Sequence, residues 1–107
     1  MKTEEIKHTA ESRELSLYAV NDYATYTRAI MPAIRCLAKK FKAGTFDAEK
    51  ATKQFYHVAT FAAKEYARAF CDNATPYYKV FSTADRRLVA ADLLDYYMED
   101  IIEESEA

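Results

Sequence analysis

The chain has 107 residues, of which half are apolar or aromatic, 30% are charged, one is glycine and two are proline. A glycine-rich phosphate loop or a dinucleotide-binding fingerprint needs several glycines close together, so both are excluded. β-Sandwiches and barrels need many tight turns, and the chain has no Asn-Gly or Asp-Gly corner. The composition therefore predicts a single all-α domain over residues 1–107, with frayed ends at residues 1–11 and 104–107.

The net charge of −2 conceals an uneven distribution of charge along the chain. Residues 15–43 carry a net charge of +4, whereas residues 72–107 carry −6. The molecule is therefore a dipole along its sequence, basic in the middle and acidic at the end.

Helix A is the first long helix that the sequence predicts. Asn21 and Asp22 are N-cap candidates. An apolar stripe follows in steps of three and four, from Tyr23 as far as Phe41. Gly44 supplies the left-handed position that ends the helix. Because the apolar phase continues across Pro32, we expect one kinked helix and not two separate ones.

Helices B and C complete the prediction. Helix B begins after the N-cap Asp47 and runs to about residue 71, and residues 72–81 form the longest loop. Helix C begins near Ser82, with Asp85 placed to complete a capping box. Matched lengths and short links favour three long antiparallel helices in a bundle with a short N-terminal helical segment. Within that segment, the spacing over residues 12–20 does not distinguish helical turns from an extended strip.

Basic side chains gather on the polar faces of helices A and B. These candidates for an interaction site are Arg28, Arg35, Lys39 and Lys42 on helix A, and Lys50, His57, Phe61, Lys64 and Arg68 on helix B. The simpler interpretation is a solvated face whose long side chains cover the bundle. Phe61 stands out because an aromatic ring among cations is typical of an interface anchor. Alternatively, the N-terminal segment or the loop at residues 77–78 covers this ring.

Helix C carries the opposite charge on one face. The acidic candidates are Asp85, Asp92, Asp95, Glu99 and Glu103. Like charges at this spacing destabilise a helix by a few tenths of a kcal/mol per pair, and acids near a helix C-terminus oppose the macrodipole. This face is therefore either simply solvated or directed at a basic surface, on a second copy of the chain or on a host protein that grips nucleic acid.

Patterns for catalysis and metal binding are scarce. His57 has no carboxylate at helical spacing on its own face, and the chain lacks the two Glu-x-x-His pairs that a di-iron bundle needs, since its single one ends at His8. The acids of helix C lack the structured oxygen-rich loop that a hard cation favours. We therefore expect no metal, no cofactor and no enzymatic activity, although residues distant in sequence could still assemble a site.

Cysteine usage and hydropathy indicate the compartment. Cys36 and Cys71 lack any CxxC pattern and are interpreted as small buried hydrophobes in a reducing environment. There is no charged leader before an apolar run, and no apolar stretch approaches about 18 residues. We expect a soluble cytoplasmic protein that does not bind membranes.

Several short runs resemble a group of short helical proteins encoded by bacteriophages and mobile elements, over residues 20–100. The runs are Asn21-Asp22, Tyr26, Pro32-Ala33-Ile34, Lys40, Gly44-Thr45-Phe46-Asp47, Lys50-Ala51, Ala63-Lys64-Glu65-Tyr66 and Ala84-Asp85-Arg86. The resemblance implies a genomic setting in which small accessory proteins often bind a host defence or regulatory protein.

Together these features favour a small non-enzymatic interaction protein that binds and inhibits a host protein or protein–nucleic acid complex. A homo-oligomer fits the same picture, because one body carries both a basic and an acidic face. The alternative is a nucleic-acid-binding accessory protein that uses the basic faces of helices A and B in a salt-sensitive, sequence-blind manner. A small metabolic enzyme, or a subunit of one, is the third class.

Overall fold

The computed structural model describes residues 7–72 and 74–107, and these contain no β-strand, which confirms the all-α class. The helices in chain order are α1 (Ala10–Asn21), α2 (Tyr23–Thr25), α3 (Met31–Ala43), α4 (Ala48–Phe70), α5 (Tyr77–Val80) and α6 (Thr83–Ser105), with a π-helical segment, Tyr26–Ile30, between α2 and α3. Predicted helix A corresponds to residues 23–43, helix B to α4 and helix C to α6. The fraying expected for residues 1–6 lies outside the described residues.

Helix α1 resolves the choice that the sequence leaves open near the N-terminus. The Thr9 hydroxyl accepts a hydrogen bond from the Ser12 N–H, and the Ser12 hydroxyl accepts one from the Thr9 N–H, each at 2.9 Å. This capping box starts the helix, and Leu15 and Ala19 are fully buried on its inner face. Residues 12–20 are therefore helical, and the ordered first turn includes residues for which the sequence predicts fraying.

A π-helical segment interrupts predicted helix A just before Pro32. The Met31 N–H donates to the Tyr26 carbonyl oxygen, five residues back, so one extra residue enters this turn. The extra residue shifts the helical phase on its N-terminal side, and Tyr23 consequently lies in solvent at 81% exposure. Its predicted place on the apolar stripe is wrong, because that prediction assumes a continuous α-helix.

The predicted ends of helices A, B and C follow local hydrogen bonds. Gly44, at φ 78°, ends α3, and Asp47 caps α4 through its bond from the Lys50 N–H. Ser82 and Asp85 form a capping box at the start of α6. These boundaries were accessible to sequence reasoning because each depends on residues within a few positions of one another.

Helix α6 is the element against which the longer helices α1, α3 and α4 pack. It contacts α1, α3 and α4, whereas α3 and α4 touch each other sparsely although a short loop joins them. The rings of Phe55 and Tyr97 stack at 6.3 Å, and Thr60 bonds to Arg86, so α4 and α6 run antiparallel. In the part of the chain that the structure describes, no helix combines the length and hydropathy needed to cross a bilayer.

Candidate interaction surfaces

The acidic face of α6 is exposed over its C-terminal half. Asp95, Glu99 and Glu103 lie in solvent, and none of them forms an ion pair within residues 7–72 and 74–107. Tyr96 projects from the same face with 64% of its surface exposed. At 100° per residue it falls about 20° from Glu103, so helical spacing alone places it beside the acids. This face therefore combines unpaired charge with an amphipathic ring.

Two predicted members of the acidic face have internal partners. Asp85 is buried, caps α6 and accepts a 2.7 Å hydrogen bond from the Thr9 hydroxyl. Burial alone would raise its pKa, but the hydrogen bonds from Thr9 and Ser82 outweigh burial and lower the pKa. The assignment of Asp85 to an exposed interaction face is therefore wrong, because a helix cap consumes its carboxylate. Asp92 is partly exposed and lies 3.5 Å from the His8 Nε2 atom.

His8 joins groups that are far apart in the sequence. Its Nδ1 atom lies 2.8 Å from the Ser12 hydroxyl, so Asp92, His8 and Ser12 form a carboxylate–imidazole–hydroxyl series. This order resembles a nucleophilic triad, which needs an accessible hydroxyl. Ser12, however, is fully buried, and its oxygen accepts the Thr9 N–H of the capping box. The series therefore fastens the N-terminal segment to α6 and offers no accessible nucleophile.

A shallow groove of about 220 Å³ runs between α1 and α6 beside the acidic face. Leu17, Val20 and Leu93 give it an apolar lining, and Tyr96 belongs to both the groove and the acidic face. Ser16 also lines it, and its hydroxyl is the one buried side-chain polar atom without a hydrogen-bond partner in the described part of the chain. A buried hydroxyl without a partner costs free energy, and this oxygen is not accessible from the groove.

The predicted basic residues do not form one surface. Arg35, Lys39 and Lys42 border a groove shared with Glu104 and Ser105 at the end of α6. Acidic and basic side chains therefore already face each other within this chain. Arg28, on the π-helical segment, is exposed and does not line that groove.

The basic candidates on α4 are likewise divided. Arg68 pairs with Glu65 at 2.6 Å, Lys64 lies over the Tyr77 ring, and Lys50 is exposed in the first turn. Phe61, the predicted interface anchor, is half-buried.

His57 lies in a third groove, of about 530 Å³, between α4 and α6. Its lining residues are Glu49, Thr52, Lys53, Tyr56, His57, Arg87 and Ala90. Lys53, Tyr56 and Arg87 are absent from the sequence-based set of candidates, because only the antiparallel packing of α4 on α6 brings their side chains to one groove.

Arg86 contacts the ring of Tyr56, which lines the groove between α4 and α6. Only 7% of its surface is exposed, and its guanidinium lies between the rings of Tyr56 and Tyr77, at 5.3 and 5.2 Å from their centroids. It donates to the Thr60 hydroxyl at 3.0 Å and to the Phe81 carbonyl oxygen at 3.3 Å. No carboxylate of residues 7–72 and 74–107 lies within 4.0 Å of it, so rings and neutral oxygens alone hold this buried cation.

Comparisons of the chain with protein-family models, with curated protein sequences and with solved structures return no match. The resemblance to short phage proteins therefore stays a prediction. Among the described residues, no group of three or more His, Cys, Asp or Glu side chains is arranged to hold a metal ion.

Proposed function

We propose that this protein is a small, non-enzymatic interaction protein that binds and inhibits a host macromolecule through the acidic face of α6. It acts stoichiometrically in the cytoplasm, as an anti-defence inhibitor borne by a phage or mobile element, on a scaffold of three long antiparallel helices. The observation that carries the proposal is the exposed Tyr96 among Asp95, Glu99 and Glu103, none of which has an ionic partner in the described residues.

Charge repulsion gives the first physical argument. Asp95 and Glu99, and Glu99 and Glu103, are like-charged pairs at i, i+4, and each destabilises the helix by a few tenths of a kcal/mol. The last turn of α6 contains no basic residue to complement the macrodipole. A cationic partner would remove this repulsion on binding, so the face is better suited to a complex than to the free protein.

The adjoining groove supplies the apolar part of the contact. Protein interfaces combine an apolar centre with a polar rim, and energy concentrates in a few anchors, often tyrosines. Leu17, at 60% exposure, and Tyr96 border the groove from opposite helices. An apolar side chain of the partner would fill the groove. The acids then form the rim.

The chemistry of the face selects the class of partner. A row of carboxylates binds a surface rich in Lys and Arg, and proteins that grip nucleic acid present such surfaces. By covering that surface, the protein would exclude nucleic acid from it. Binding should weaken as salt rises, because the contributing charges are exposed.

Affinity capture from the host, followed by mass spectrometry and an activity assay of the captured partner, tests the proposal. Tyr96→Ala, or the triple change Asp95→Asn, Glu99→Gln and Glu103→Gln, should abolish both capture and inhibition. Tyr78→Ala is the matched control, because Tyr78 is similarly exposed, at 56%, but lies on α5. Equal capture of the same partners by the wild type and both α6 variants would refute the proposal.

Nucleic-acid binding is the competing function, and the structure offers it less support. Its predicted cations are divided between α3, where they border a groove with Glu104, and α4, where Arg68 pairs with Glu65. Gel-shift titration with single- and double-stranded DNA and RNA at about 50 mM salt, where phosphate contacts are strong, decides the question. Light scattering at low and high salt separately tests charge-driven self-association, and a mass that stays monomeric would eliminate it.

A further inference from the structure

The groove between α4 and α6 has the features of a small-molecule site. It lies on the side of α6 opposite the acidic face. Its volume of about 530 Å³ lies within the range of about 300–1,000 Å³ that is usual for ligand clefts. Clefts between helices of a bundle are a frequent place for such sites. The proposed partner interface does not use this groove, so a ligand here would be a separate property of the protein.

Positive charge predominates in the groove. Lys53 and Arg87 are exposed cations on its two walls, and Glu49 is the one carboxylate in the lining. None of these three side chains forms an ion pair within residues 7–72 and 74–107. Two cations and an imidazole, that of His57, therefore face one acid, and their hydrogen-bond donors are available to an anionic ligand.

The aromatic wall is held in place from behind. Because Arg86 is buried, the face of the Tyr56 ring that it covers is the one turned towards the protein. Arg86 also stacks on Tyr77 and bonds to Thr60, which restricts movement of the guanidinium. A ring fixed in this way presents a preorganised surface, and preorganisation reduces the entropy lost on binding.

We propose that this groove binds a small phosphate monoester attached to a planar ring system, of which adenosine monophosphate is the simplest probe. Lys53 and Arg87 bind the phosphate by charge-assisted hydrogen bonds, with the Arg87 fork matching two phosphate oxygens. The planar ring stacks against Tyr56, and Glu49 accepts a hydrogen bond from a ligand hydroxyl or ring N–H. Side chains supply all these contacts, so the site needs no glycine-rich loop.

The distribution of charge around the groove favours a small ligand over a polynucleotide. The neighbouring cations of α4 do not extend the positive charge of the groove into a continuous track, because Arg68 pairs with Glu65 and Lys64 lies over Tyr77. A polynucleotide needs a continuous positive track for several phosphates, whereas one phosphate needs only the two cations of the groove.

Calorimetric titration of the full chain with adenosine monophosphate tests the inference. Adenosine and inorganic phosphate, titrated separately, should each bind at least about tenfold more weakly than adenosine monophosphate, because each keeps only half of the contacts. Phenyl phosphate distinguishes a requirement for a nucleoside from one for any aromatic phosphate. Adenosine monophosphate should also raise the melting temperature of the wild type, a readout that needs no variant.

The variant Lys53→Gln with Arg87→Gln should bind adenosine monophosphate at least about tenfold more weakly, since it loses both charge-assisted contacts. Both side chains are exposed, so circular dichroism and melting should match the wild type. The control, Lys39→Gln with Lys42→Gln on α3, should bind as the wild type does. No binding at millimolar ligand, equal binding by the groove variant, or binding of an oligonucleotide without the monophosphate would each overturn the proposal.

Discussion

The hydrogen bond from Thr9 to Asp85 joins positions 76 residues apart and allows a sharp test of the fold that supports both surfaces. The Thr9 hydroxyl accepts the Ser12 N–H within α1 and donates to the Asp85 carboxylate at 2.7 Å. Thr9→Val keeps the shape of the side chain and removes both bonds. Thr9→Ser keeps the hydroxyl and is the matched control.

The expected loss follows from the two bonds. An N-cap contributes about 1 kcal/mol, and a hydrogen bond to a charged acceptor about 1.5–3 kcal/mol. Thr9 is exposed, so water can partly replace its hydroxyl. The contributions of the cap and of the hydrogen bond to Asp85 therefore lie near the lower ends of their ranges. Thr9→Val should therefore lower the free energy of unfolding by about 2 kcal/mol, and the melting temperature of a domain of this size by about 8 °C or more.

The dependence on pH separates the two contributions. Because the pKa of Asp85 is lowered in the folded protein, its stabilising effect is present above the unfolded value of about 3.9 and is lost as pH falls through the folded pKa. The free energies of unfolding of the wild type and of Thr9→Val are measured in urea at pH 7 and at decreasing pH. The difference between them should narrow as pH falls, towards the contribution of the helix cap alone. A Thr9→Val protein that melts like the wild type at pH 7, or a pH-independent difference, would refute the reasoning.

Three further variants or conditions test other parts of the fold. Gly44→Val should destabilise the protein by about 1–2 kcal/mol in thermal unfolding, because its φ of 78° is unfavourable for a side chain with a branched Cβ. A Cβ at this position would meet no atom within 4 Å, so backbone strain alone causes the loss, and Gly44→Asn should be less destabilising. Phe55→Ala should cost about 3–5 kcal/mol, whereas Phe61→Ala, at a half-buried position, should cost less than about 2 kcal/mol, and equal losses would place Phe61 in the core. Burial raises the pKa of Tyr18 and Tyr97 to about 12 and also raises the pKa of Tyr66, so stability should fall as pH rises from about 10 through 12. Tyrosinate absorbance should therefore show three late-ionising residues.

Sequence reasoning was most successful where the relevant interactions are local. Asp47, Ser82 and Gly44 mark helix boundaries because a cap or a left-handed corner involves residues within three to five positions. The failure at Tyr23 is also local in origin. One π-helical turn next to Pro32 changed the phase, and periodicity alone gives no warning of the inserted residue.

The candidate surfaces show the other limit. The acids Asp95, Glu99 and Glu103 share one helix, so their common face was predictable from spacing alone. The groove that contains Lys53 and Arg87 was not, because it exists only where α4 packs on α6.

The sequence by itself therefore determined that this protein is all-α, where its long helices begin and end, and that one helix carries an acidic face. Tertiary structure alone decided that Asp85 is a buried cap, that Arg86 is stacked between Tyr56 and Tyr77, and that His8 reaches Asp92. The physical reason is the range of the interactions. Helix capping and periodicity act within a turn or two, whereas burial and pairing depend on which distant faces pack together.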